Sequence, residues 1–85
     1  MENTHKLVLY NDDENSYLEI MACLVAVCDF EPLQAEQCAL IANNNGKCDI
    51  KHGDFADLLH KKSIFDEMGV HTSIKEIEKV WKLFV

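Results

Sequence analysis

The chain has 85 residues, 48% apolar and 27% charged, with three glycines and one proline, a composition that excludes collagen-like and low-complexity chains and argues against disorder. At this length one domain builds a single core with room for one shallow site, which favours a binding module over an enzyme. Fifteen acidic against eight basic residues leave a net charge of −7, so nucleic acid and anionic membranes are poor partners and cationic ligands are favoured.

Lys6–Tyr10 (KLVLY) is a β-branched and aromatic run that stops at Asn11-Asp12-Asp13, residues that favour turns. It reads as a strand entering a loop. Ser16-Tyr17-Leu18-Glu19 then fits a capping box. Behind it Tyr17, Ile20, Leu24 and Val27 recur at helical spacing, which predicts a helix over 17–28. Met21, Val25 and Cys28 widen its apolar stripe, so cover on two sides is expected.

Asp29–Pro32 breaks that helix and starts another, with Pro32 in the first turn. Ala35, Cys38, Ala39 and Ala42 share one face of this second helix, which runs to about Asn45 before Gly46 in a left-handed terminating position. Lys47–Lys51 alternates Cys48 and Ile50 with charges, as a half-buried strand does. A third helix begins at Gly53-Asp54, with Phe55, Leu58, Leu59, Lys62 and Phe65 as its expected inner face and Gly69 after it. Val70, Thr72 and Ile74 alternate as a third strand. Ser73…Glu76 is a second capping-box pattern, and Ile77, Val80, Trp81 and Phe84 at helical spacing predict a short amphipathic tail helix. The order is β-α-α-β-α-β, an α+β sandwich with helices on one face of a three-stranded sheet.

Residues 1–6 are polar, and the run Leu7–Tyr10 is too short for a secretory signal core. Ile20–Cys28 falls short of the roughly 20 residues a membrane span needs. A soluble, cytoplasmic protein is expected. The four cysteines (Cys23, Cys28, Cys38, Cys48) form no CxxC pair, and the four histidines are scattered, so packed thiols are expected, with no metal and no cofactor. No serine-hydrolase elbow, phosphate-cradling loop or metalloprotease motif is present, and no enzyme activity is expected.

Two polar features remain. Asn11-Asp12-Asp13-Glu14-Asn15 follows the first strand; such residues serve turns and helix starts, and Asn11 and Asp12 can also aim side-chain oxygens at an ammonium group. A primary amine has three donors and no acceptor, so it needs several converging oxygens. Asn43-Asn44-Asn45 ends the second helix, and Ala39, Ala42 and Asn43 share a face, either close helix packing or a shallow dent with a polar lip.

The runs LVLYNDDENSYLEIMACLV and EQCALIANNNGKC, then an acid-and-lysine helix and HTSI, resemble the ClpS family, adaptors of the bacterial Clp protease. The resemblance spans roughly Lys6 to Glu78 and implies a sandwich domain over 6–78 with an antiparallel sheet, a short N-terminus at 1–5 and a tail at 79–85. It implies an adaptor that recognises substrates bearing a destabilising N-terminal residue (Leu, Phe, Tyr or Trp) and delivers them to a Clp AAA+ unfoldase, ClpA- or ClpC-like. By the same resemblance Asn11 and Asp12 are ligands of the substrate α-amino group, with Asp13 completing the motif. Asn43 stands where the family usually has a His, a further amine ligand. Tyr17 and Ile20 match pocket positions; Ala39 and Ala42 occupy wall positions where larger residues are common, implying a wider pocket suited to Trp, Phe or Tyr. The helix bearing Asp57, Lys61 and Lys62 corresponds to the unfoldase-docking surface. With the NDD motif beginning at residue 11, the family's N-terminal extension is nearly absent and binding is expected over active delivery. The alternative is a Clp-docking regulatory domain that modulates the unfoldase without reading N-termini.

Overall fold

The structure, a computed structural model, describes residues 4–11 and 14–77. Its elements follow the order β1 (His5–Tyr10), α1 (Tyr17–Cys28), α2 (Pro32–Asn45), β2 (Lys47–Gly53), α3 (Phe55–Glu67) and β3 (Thr72–Glu76). β1 lies in the middle of one antiparallel sheet, ordered β2-β1-β3. Leu7 and Leu9, fully buried, meet Leu24 of α1, Ala35 of α2, and Leu58 and Phe65 of α3 in one apolar core. The three helices thus cover one face of the sheet. Val8 alternates with its neighbours onto the other face, where Lys6 pairs with Asp49 at 3.0 Å and Tyr10 Oη shares a 2.7 Å hydrogen bond with Ser73 Oγ.

Local chemistry explains the boundaries. Ser16 caps α1 by accepting from the Glu19 N–H at 3.2 Å, and Asp54 caps α3 by accepting from the Asp57 N–H at 2.8 Å. Gly46 ends α2 at φ +89°, its N–H donating to Ala42 O at 2.8 Å, a backbone state that glycine adopts without a Cβ penalty. Ile50 is the extra residue of a bulge in β2, since Leu7 faces Lys51 and Val8 faces Asp49.

Several sequence expectations need correction. Phe55 and Leu59 are about half exposed and do not form the inner face of α3, which Leu58 and Phe65 supply. Phe55 instead meets the His5 ring edge-on, centroids 5.4 Å apart. On α1 the buried stripe is Ile20, Cys23, Leu24 and Cys28, while Val25 stays at the surface, so the helix is covered on one side. Ser73 and Glu76 do not cap a helix; they lie in β3, opposite Val8 and His5. Ile77 continues toward the sheet by donating to Thr4 O at 3.0 Å, and the rest of the expected tail helix (Val80, Trp81, Phe84) lies outside the described residues.

Candidate functional site

A small cavity of ≈ 70 Å³ opens where the end of β1 meets α1 and the last turn of α2. Its lining includes Asn11, Tyr17, Ile20, Ala39, Ala42 and Asn43. All six were singled out from the sequence. Asp12 and Asp13, the remaining two members of the predicted site, lie outside the described residues. Ile20, Ala39 and Ala42 are buried and form the floor, whereas the amides of Asn11 and Asn43 belong to exposed residues at the mouth. An apolar hollow with neutral polar groups at its lip can take one apolar side chain while presenting amide oxygens to a nearby donor.

Backbone chemistry brings the two asparagines together. The Asn11 N–H donates to Gly46 O at 2.9 Å, so the chain leaving β1 is fastened to the turn that ends α2. The left-handed Gly46 is what turns that carbonyl toward β1, and Asn43 sits one turn earlier on the same helix. Across the cavity, Tyr17 reaches from α1 to α2, its hydroxyl donating to the Glu36 carbonyl at 2.9 Å. Desolvation by its neighbours, and secondarily the Glu36 carboxylate, push the Tyr17 phenol above its ordinary value and keep it a neutral donor.

Asn15, Leu9 and Tyr10 also line the cavity and were not anticipated. Leu9 and Tyr10 are the end of β1, and Asn15 is placed by a tertiary hydrogen bond from its Nδ2 to Gly69 O at 2.7 Å.

The predicted docking residues stand apart from the cavity lining, on α3. Asp57 is exposed in the first turn, Lys61 is half-buried, and Lys62 forms an i,i+4 ion pair with Asp66 at 2.9 Å. All four cysteines are free thiols. Burial raises the Cys28 thiol, an effect partly offset by Lys61 and Lys51, and burial beside Cys38 pushes Cys48 up to about 12. Among the described residues, no group of three or more His, Cys, Asp or Glu could hold a metal ion. Among the same residues, no helix is long and apolar enough to cross a membrane.

The family model described as "ATP-dependent Clp protease adaptor protein ClpS" matches residues 1–73. The chain belongs to the ClpS family. It is therefore a member of a family of protease adaptors, and the β-α-α-β-α-β fold expected from the resemblance is the one observed. No curated protein matches the chain by sequence. Among solved structures it is similar to ClpS2 of Agrobacterium tumefaciens, solved bound to L-phenylalaninamide, with a TM-score of 0.78 and 14% identity over 91% of this chain and 100% of that one. At that identity the likeness speaks for the shared fold.

Proposed function

We propose that this ClpS-family domain binds protein chains by a free N-terminal amine together with a bulky apolar first residue, and directs them to a Clp AAA+ unfoldase. The observation that carries the reading is the convergence, in one cavity, of amide-bearing Asn11 and Asn43 with the apolar floor of Ile20, Ala39 and Ala42. The ligand named for the similar Agrobacterium protein, L-phenylalaninamide, has that pair of features: a primary amine and an apolar side chain on one carbon.

Two unlike interactions share the work. Hydrogen bonds from the ammonium to Asn11, Asp12 and Asn43 contribute roughly 1.5–3 kcal/mol each, the strength of bonds to a charged group. Burying one large apolar side chain adds about 1.5–3 kcal/mol. After the losses of association, micromolar affinity (about −8 kcal/mol) is the expected scale, so neither interaction suffices alone. The ≈ 70 Å³ cavity is roughly half the ~150 Å³ that accepts a benzene ring in an enclosed protein cavity. Ala39 and Ala42 therefore do not open a hollow wide enough to enclose a ring, contrary to the expectation of a wider pocket, and a Leu side chain enters most easily. An aromatic ring either projects through the open mouth or displaces the Tyr17 ring, at the cost of its bond to Glu36.

Delivery is assigned to the α3 surface carrying Asp57, Lys61 and Lys62, with an unfoldase of the ClpA or ClpC kind as partner. Exposed and half-buried charges on a helix away from the pocket suit a second protein while leaving the cavity accessible.

A peptide series differing only in the first residue tests the reading. Binding to Leu, Phe, Tyr and Trp peptides and none to Gly or Asp peptides is expected. Equal signals across the series, with the unfoldase still bound, would instead select a docking domain that modulates the unfoldase without reading N-termini.

A further inference from the structure

Asn15 links the start of α1 to the α3–β3 turn in a way that its position in the chain does not announce. It lines the cavity, and its side-chain Nδ2 donates to Gly69 O at 2.7 Å, across 54 residues of sequence. Only the nitrogen of a carboxamide can donate to a carbonyl, so this bond fixes which end of the Asn15 side chain faces the α3–β3 turn.

That turn is a firm anchor. Gly69 takes the left-handed conformation at φ +76°, its N–H donates to Asp66 O at 3.1 Å, and the Val70 N–H donates to Phe65 O at 2.9 Å. Val70 and Phe65 are both core residues. The Tyr10 N–H donates to His71 O at 3.1 Å, tying the end of β1 to the same segment. Asn11, after the last residue of β1, is thus held to the α2–β2 turn through Gly46, and Asn15, ahead of α1, is held to the α3–β3 turn through Gly69. Both anchored residues line the cavity. One residue on, Ser16 Oγ accepts from the Glu19 N–H and caps α1.

We propose that Asn15 is a positioning residue: its bond to Gly69 holds the Asn15 edge of the pocket against the α3–β3 turn and thereby sets the affinity for the peptide N-terminus. The inference rests on the proposed reading of the pocket. A lining residue already fastened meets its ligand with less ordering left to do, and affinity rises by that amount.

Two variants of the full chain test it. Asn15→Ala removes the donor. Asn15→Asp keeps the shape, loses the donor at neutral pH and adds a negative charge beside a cationic ligand. A positioning role predicts that Asn15→Ala weakens binding of a Phe-initial peptide about tenfold, the effect of one lost hydrogen bond of this strength, and that Asn15→Asp also weakens it, but less, because its added charge attracts the amine. If Asn15 instead acted only as an acceptor for the amine, Asn15→Asp would bind as well as the parent or more tightly, and the proposal would be overturned. Amide NMR shifts of the peptide-free proteins give a readout independent of the ligand. Displaced signals at Asn11 and Gly69, with the β2 signals in place, support the tether; unchanged signals there overturn it. Should the parent chain fail to bind the peptide, the pocket reading falls, while these shifts still decide whether Asn15 holds the pocket edge to the α3–β3 turn.

Discussion

Among the described residues, the pocket lining and the α3 surface are made of opposite materials. The cavity lining carries no charged residue among those described; it relies on Ala39 and Ala42 to leave space and on amides to supply direction. The α3 surface relies on charge, with Asp57, Lys61 and the Lys62–Asp66 pair standing in or near solvent. Shape in a small hollow is unforgiving, because one added methylene occupies space that the ligand needs. Charge at a surface is screened and exchangeable, and each pair contributes little. The two regions should therefore respond very differently to single substitutions.

The largest effect is expected from filling the pocket. Ala42→Leu should remove the apolar contribution of about 1.5–3 kcal/mol, roughly a ten- to hundredfold loss in peptide affinity, measured by fluorescence anisotropy. Unchanged affinity would mean that the first side chain does not enter between α1 and α2. Asn43→Ala should weaken the same peptide about tenfold by removing one acceptor for the ammonium, with no change for a peptide whose amine is blocked.

Alkaline titration addresses the layer beneath the α2 wall. The Cys48 thiol ionises near its ordinary value of 9 when unfolded and near 12 when folded. The folded chain therefore keeps a proton that the unfolded chain releases, and stability present below pH 9 is lost progressively as the pH rises toward 12. Melting temperatures from pH 8 upward should fall, and fall less steeply in Cys48→Ala. Parallel slopes would remove Cys48 from the account. The smallest effect belongs to α3: Lys62→Ala breaks the ion pair with Asp66 and should cost about 0.3–0.5 kcal/mol in denaturant unfolding, with peptide affinity unaltered. A large loss of peptide binding would erase the proposed separation of the two regions.

Most of the fold and six members of the cavity were legible because they depend on short-range patterns. Ala39, Ala42 and Asn43 share a face by helical spacing, and the Asn11 turn announces the end of a strand. What could not be read depends on distant partners. The Gly69 that fixes Asn15 is 54 residues away, and no local pattern names it. Ser73…Glu76 has the spacing of a capping box, yet pairing with β1 at Val8 and His5 overrides it. Phe55 and Leu59 fit a helical period, but Leu58 and Phe65 take the core positions and leave them at the surface. The Tyr17–Glu36 bond needs the α1–α2 crossing, which periodicity does not supply.

The most direct measurement compares one Phe-initial peptide with a free amine against the same peptide acetylated, each titrated with the intact chain. The account predicts a dissociation constant on the order of micromolar for the free amine and binding at least about a hundredfold weaker for the acetylated form. Equal affinities for the two would contradict it.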